Sequence, residues 1–243
     1  MANDTPRSTV RAIETRYAGH RFRSRLEARW AVFFDALRIE WEYEPQGFVI
    51  GDGTGATRNY LPDFRLTATG TWVEVKGDPQ ELDWGLIGSA VYHAGPHLPD
   101  AHDAERDSVA GVLVLGNIPT PGKRWGHWLV QGDQHAAHAD TVEFIAWPKD
   151  YGSILRAPIF DDHAVLAPSL DTKWGPAEHH GVALGGQHIP ALDLYFAEYA
   201  DRQGALVTAA YHAARTARFE WGETPRVTAP RIPAPRITPP RPG

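Results

Sequence analysis

The sequence predicts an α/β fold in which a mixed central β-sheet is flanked by helices. Three observations lead there. Leu26, Trp30, Phe33, Phe34 and Leu37 recur at three- and four-residue spacing, the stripe of a buried helix face. Residues 60–77 hold two short apolar stretches around the small-residue turn Ala68-Thr69-Gly70-Thr71, which reads as an antiparallel hairpin. The run Ala-Gly-Val-Leu-Val-Leu ending at Leu115 is continuously apolar, as expected of a strand buried on both faces.

The elements follow in chain order. Ser24 caps the first helix, with Glu27 at the capping-box position. Residues 41–43 and 48–50 read as short strands, and Gly51-Asp52-Gly53-Thr54-Gly55 as a turn. That turn is not a phosphate-binding loop, because no Lys-Ser or Lys-Thr follows it and no helix begins there. Pro79 precedes a helix predicted over 81–93, and further strands are expected at 127–130 and 142–147. Residues 148–190 scatter glycine, proline, histidine and tryptophan without a period and read as loops and an insertion. Helical character resumes over 189–219, with Leu192, Phe196, Tyr199 and Ala200 on one side and Gly204 dividing two helices. Beyond Gly222, arginine recurs every five residues among prolines, which predicts an extended, disordered arm. The expected organisation is a basic N-terminal arm (1–20), a core (21–147), an irregular insertion with C-terminal helices (148–221) and a Pro/Arg-rich tail (222–243).

With 243 residues, 42% of them hydrophobic, the chain can bury a substantial core. It has no apolar stretch near the ~20 residues of a membrane span and no signal-peptide core. It has no cysteine, which excludes disulfides and thiolate zinc sites. The expectation is a cytoplasmic protein with no membrane partner. Net charge is −6, unevenly spread: residues 1–25 and 226–243 each carry +4, leaving −14 for the body between them. Basic arms on an acidic body suit contact with a polyanion, and Arg21, Arg23 and Arg25 stand beside the helix start as candidate phosphate contacts. The tail either tethers DNA, presents polyproline to a partner or is passive; the C-terminal helices either pack on the core or mediate a homodimer.

Asp63 and the triplet Glu74-Val75-Lys76 carry the chemistry. Strand alternation sets Glu74 and Lys76 on one face and turns Val73 and Val75 to the other, and Asp63 on the partner strand can join the first. Two carboxylates suffice for Mg2+, and a hard cation is what phosphodiester hydrolysis needs to polarise the phosphoryl oxygen and generate a nucleophile. Lysine is scarce, four against twenty arginines, yet an acid-x-Lys triplet alone is a weak signal. The blander reading is a surface ion pair on a hairpin. For Glu27 it is simple capping of Ser24, which does not exclude a second role near a metal.

With Glu27, Pro62-Asp63 and Glu74-Val75-Lys76 in this order, the chain resembles the PD-(D/E)xK nuclease superfamily, the restriction-endonuclease-like fold. Arg-Phe-Arg-Ser-Arg-Leu-Glu-Ala-Arg-Trp, Trp41-Glu42-Tyr43-Glu44-Pro45 and Tyr60-Leu61-Pro62-Asp63-Phe64 resemble small phage and actinobacterial nucleases in particular. The likeness covers residues 15–116 and implies an Mg2+- or Mn2+-dependent DNA endonuclease. It implies that Asp63, Glu74 and the Val75 carbonyl ligate the metal, that Lys76 orients or activates the water, and that Glu27 completes the shell. Gln80 and Tyr92 do not match the spacing of the RecB-like branch, so exonuclease action is not implied. The alternative is a catalytically silent nuclease-fold module that binds DNA or recruits a partner; RNA cleavage is a third reading. Twelve histidines, among them His135, His138, His179, His180 and His188, show no convincing zinc pattern. Trp125 and Trp128, beside Lys123 and Arg124, are expected in the core rather than stacked on bases.

Overall fold

The structure, a computed structural model, describes residues 13–67, 69–92, 98–99, 111–120, 127–132, 137–146, 159–160, 164–168, 204–219 and 225. Trp125, His135, the histidines between 179 and 188, the positions Leu192 to Ala200 and the tail apart from Pro225 lie outside the described residues.

Helix α1 (Arg25–Ala36) forms from the expected stripe: Trp30, Phe33, Phe34 and Leu37 are all buried, and Leu26 packs at the margin of the same core. Its end is a left-handed cap at Arg38 (φ 56°), where Ile39 N–H bonds the Phe34 carbonyl and Arg38 N–H the Asp35 carbonyl. Ile39 then buries its side chain, so the chain turns back toward the sheet. Ahead of the helix, β1 (Thr15–Tyr17) and β2 (His20–Phe22) form a hairpin whose Tyr17 and Phe22 enter the core beside α1. Residues 15–20, assigned by charge to an arm, pair within this hairpin; its inward positions Thr15, Tyr17 and Phe22 are buried while the arginines between face out.

Strands β3 (Trp41–Tyr43), β6 (Phe64–Leu66), β7 (Thr71–Val75), β8 (Val112–Leu115), β9 (His127–Gly132), β10 (Ala137–Ala146), β11 (Ile159–Phe160) and β12 (Ala164–Pro168) make one sheet in the order β11-β12-β10-β9-β8-β7-β6-β3. Among the described residues only β7 and β8 run parallel and the other pairs are antiparallel, so the sheet is mixed as predicted. Strands β4 (Phe48–Gly51) and β5 (Thr57–Tyr60) form a separate hairpin around the glycine-rich turn.

Alternation along the strands separates two cores. Phe64, Leu66, Val73, Val75, Leu113, Leu115 and Leu129 face α1 and the helix α3 (Gly204–Thr216), whose Val207, Ala210, Tyr211 and Ala214 are buried with them. Trp72, Val112, Val114 and Val130 face the β4–β5 hairpin and α2 (Trp84–Val91), which supplies Ile87, Ala90 and Val91. The result is an α/β/α layering in which β7 and β8 are buried throughout. Because α3 shares the core of α1, and β11 and β12 extend the sheet, the sheet and its core continue past residue 148.

The second helix departs from its expected bounds. Asp78 caps a single 3-10 turn at Pro79–Glu81, Leu82 is extended, and Asp83 caps afresh by accepting the Leu86 N–H, so α2 begins at Trp84. Trp128 also differs: its place on β9 turns it outward, 43% exposed, while its neighbours His127 and Leu129 go inward.

Gly132 lies against the Val91 carbonyl at the end of α2, and a Cβ there would overlap that oxygen. Gly77, in contrast, has its nearest atoms at 3.7 and 3.9 Å from a built Cβ. Denaturant unfolding of Gly132→Ala is expected to show a loss of about 1–3 kcal/mol or more, and of Gly77→Ala a change within about 0.5 kcal/mol.

Candidate active site

The β6–β7 pairing decides the geometry. Phe64 sits opposite Val73 at the end of the paired register, and the next residues outward, Asp63 and Glu74, lie close enough for the charge of Glu74 to act on Asp63. Three hydrogen bonds tie Asp63 to the main chain around it. Its N–H donates to the Val73 carbonyl at 2.9 Å, its carbonyl accepts from Glu44 N–H at 2.9 Å, and its Oδ2 accepts from Val75 N–H at 2.7 Å. The side chain thus takes the position that a ladder carbonyl would occupy, and the carboxylate is held in the plane of the sheet edge.

Glu74 shares the α2 face of the sheet with Trp72. Its Oε1 is 3.1 Å from Lys76 Nζ and its Oε2 accepts from the Tyr60 hydroxyl at 3.1 Å. Asp63 and Glu74 are both buried, 3% and 7% exposed, while the Lys76 side chain is about one-third exposed at 36%. Val75 N–H points to Asp63 and Lys76 N–H to the Leu115 carbonyl of β8. A strand residue directs its N–H and C=O to the same side, so the Val75 carbonyl also faces Asp63.

Electrostatics follow from burial. The Asp63 carboxyl is pushed from its ordinary 3.8 up to about 7 by loss of solvent and by the adjacent Glu74 charge, against the opposing pull of the Val75 N–H, with Glu27 adding to the rise and Arg23 countering it. Burial draws the Lys76 ammonium downward, but the charge and hydrogen bond of Glu74 push it further upward, so it stays protonated at neutral pH. The Tyr60 phenol is raised well above its ordinary value by burial and Glu74, so it remains a donor.

Glu27 is close enough to act on Asp63, yet its carboxylate is already committed. Oε1 accepts from the Ser24 hydroxyl at 2.6 Å, while Oε2 accepts from Tyr43 hydroxyl at 2.6 Å and Arg23 N–H at 3.1 Å. Ser24 in turn accepts from Glu27 N–H at 3.1 Å, completing a capping box that reaches back to the residue before the cap. Its place is behind the site, where it anchors Arg23. The Arg23 guanidinium lies 2.8 Å from Asp63 Oδ1 and 2.5 Å from Glu44 Oε1.

Arg23 therefore serves as a counter-ion to Asp63, and Arg21 pairs with Glu14; both were expected to contact phosphate. Three partners had no assigned role in the sequence: Tyr60, Tyr43 and Glu44. Strand period was the available signal for Tyr60, the one inward residue of β5. His127, by contrast, is a core residue: buried beside Trp30, 3.0 Å from the Tyr211 hydroxyl, and held neutral by burial with its pKa lowered to about 3.

Among the described residues no group of three His, Cys, Asp or Glu side chains closes around a point that a metal ion would fill. A smaller set does suit a hard cation. Asp63, Glu74 and the Val75 carbonyl are oxygen donors at one edge, each carboxylate oxygen keeps a second lone pair, and Mg2+ takes one or two carboxylates with waters. Burial first and the Glu74 charge second raise the Asp63 pKa, and a cation between the two carboxylates would oppose that rise. No family model, curated protein or solved structure matches the chain.

A carboxyl whose folded pKa lies above its unfolded one binds a proton more tightly in the native state, so stability falls as pH rises from about 4 to about 7. Urea titrations without divalent cations are expected to show that fall, by no more than about 4 kcal/mol. Asp63→Asn should flatten it; a parent chain already insensitive to pH over this window would contradict the assignment.

Proposed function

We propose that this chain is a divalent-cation-dependent deoxyribonuclease with a restriction-endonuclease-like core of the PD-(D/E)xK kind, cutting phosphodiester bonds internally with Mg2+ or Mn2+. The observation that carries the reading is the facing pair of buried carboxylates, Asp63 and Glu74, with the Lys76 ammonium 3.1 Å from Glu74. Helix, hairpin and parallel strand occur in the order that this superfamily uses, and the basic residues of the termini favour DNA as the polyanion.

In this reading Asp63, Glu74 and the Val75 carbonyl would hold the cation. A cation bound there would polarise the phosphoryl oxygen and lower the pKa of a bound water. Tyr60 fixes one oxygen of Glu74 and Lys76 sits on the other, so a cation would use the remaining lone pairs of that carboxylate. Lys76 carries its proton at neutral pH, so its part is to orient the attacking water and stabilise negative charge growing on the phosphate, not to accept a proton. Arg23 pairs with Asp63, and its guanidinium could instead pair with a phosphate if a cation took over the charge of that carboxylate. Glu27 acts as a positioning residue, holding Arg23 and Tyr43 in register.

A second reading, a catalytically silent DNA-binding or partner-recruiting module, has an observation of its own. Every carboxylate oxygen of Asp63, Glu74 and Glu27 already has a protein donor or cationic partner.

Incubation of the full chain with supercoiled, linear duplex and single-stranded DNA in Mg2+ or Mn2+ separates the two. The nuclease reading expects cleavage that EDTA abolishes, that Asp63→Ala and Glu74→Ala eliminate, and that Lys76→Ala slows by about 100-fold or more. No cleavage under any condition, with DNA binding unchanged in Glu74→Ala and Lys76→Ala, would establish the silent module.

A further inference from the structure

Trp84 and Trp128 are each 43% exposed, and their rings meet edge to face with centroids 5.9 Å apart and planes at 84°. Their position relative to the carboxylates is set by register. Glu74 pairs with Val114 across the parallel ladder, and Val114 pairs with Trp128 across the next. Residues in one such row share a face, so Glu74, Val114 and Trp128 stand in line on the α2 side of the sheet. Two strand spacings separate the carboxylate from the indole, about 10 Å between backbones. Trp84 opens α2 directly after Asp83, whose carboxylate pairs with the Arg58 guanidinium of β5.

We propose that Trp84 and Trp128 form a stacking subsite for an unpaired nucleobase of the strand whose phosphate lies at Asp63 and Glu74. The inference rests on the nuclease reading above and names its substrate class: single strands, flaps or frayed ends. An indole face stacks on any base, but a base in a duplex has no free face to offer. Arg58 stands beside Trp84 in an exposed ion pair with Asp83, which holds its guanidinium weakly enough for a phosphate to compete for it. A protein partner suits the patch less well. Two rings at this exposure offer on the order of 200 Å2, against about 800 Å2 per partner in a stable protein interface.

Cleavage and fluorescence anisotropy are measured for the full chain on single-stranded oligothymidylate, the same strand with abasic residues, and a duplex of equal length. Trp128→Ala should weaken single-strand binding about tenfold and leave duplex binding unchanged; Trp84→Ala should act in the same direction. Trp128→Phe should retain most of the affinity, and Trp128→Leu, which preserves apolar bulk, should behave as Trp128→Ala. Abasic strands should bind the parent chain as weakly as intact strands bind Trp128→Ala. A parent chain that cleaves DNA while Trp128→Ala and Trp128→Leu bind and cut single strands normally would overturn the subsite and spare the nuclease. Tryptophan-dependent binding by a chain that cuts nothing would retain the subsite and remove the nuclease. A change of oligomeric state in Trp84→Ala/Trp128→Ala would overturn the subsite in favour of a contact between copies.

Discussion

The juxtaposition of two buried carboxylates, Asp63 and Glu74, is the constraint that the surrounding structure obeys. The β6–β7 hairpin brings them together in a place that water scarcely reaches, and like charges in such a place repel strongly. Each neighbour answers that repulsion. Val75 N–H and Tyr60 hydroxyl donate to one oxygen of each acid, and Arg23 and Lys76 place a positive charge on the other. Even so, the Asp63 carboxyl stays far above its usual range. A fold selected for stability alone would replace such a pair with apolar side chains, and retaining it is the physical reason to treat this sheet edge as functional.

The helix start and the site share their residues. Glu27 closes the cap of α1 and, with the same carboxylate, holds the Arg23 N–H and the Tyr43 hydroxyl. Arg23 then reaches Asp63 from a main chain that cannot drift. The other end of the site is braced by the parallel pair: Trp30 of α1 donates its indole N–H to the Gly116 carbonyl at 2.8 Å, and Asn117 donates to the Gly77 carbonyl at 3.0 Å. These bonds tie the segments just beyond β7 and β8 to each other and to the buried helix, so Lys76 leaves the sheet from a fixed point.

Much of this was legible in the sequence because it depends on short-range periodicity. The α1 stripe, its Ser24 cap, the hairpin around Gly70 and the buried strand ending at Leu115 are all encoded within a few residues of themselves. So is the shared face of Glu74 and Lys76. What the sequence could not give was pairing between distant segments. That Arg23 lies on Asp63 and not free beside it depends on how β2 and α1 meet the β6 edge, forty positions away. The outward turn of Trp128 depends on which face of β9 meets α2, and tryptophan's usual burial pointed the other way. The N-terminal charge count masked a hairpin whose Tyr17 and Phe22 are core residues. The late start of α2 reflects two competing acid caps, Asp78 and Asp83, that local composition does not rank.

The proposed cation site is tested most directly by Mn2+ anomalous diffraction from crystals of the full chain. The account predicts a single strong peak about 2.1–2.3 Å from oxygens of both Asp63 and Glu74 and near the Val75 carbonyl, with the Arg23 guanidinium drawn away from Asp63. No peak at that edge under saturating Mn2+, with Arg23 still seated on Asp63, would contradict it.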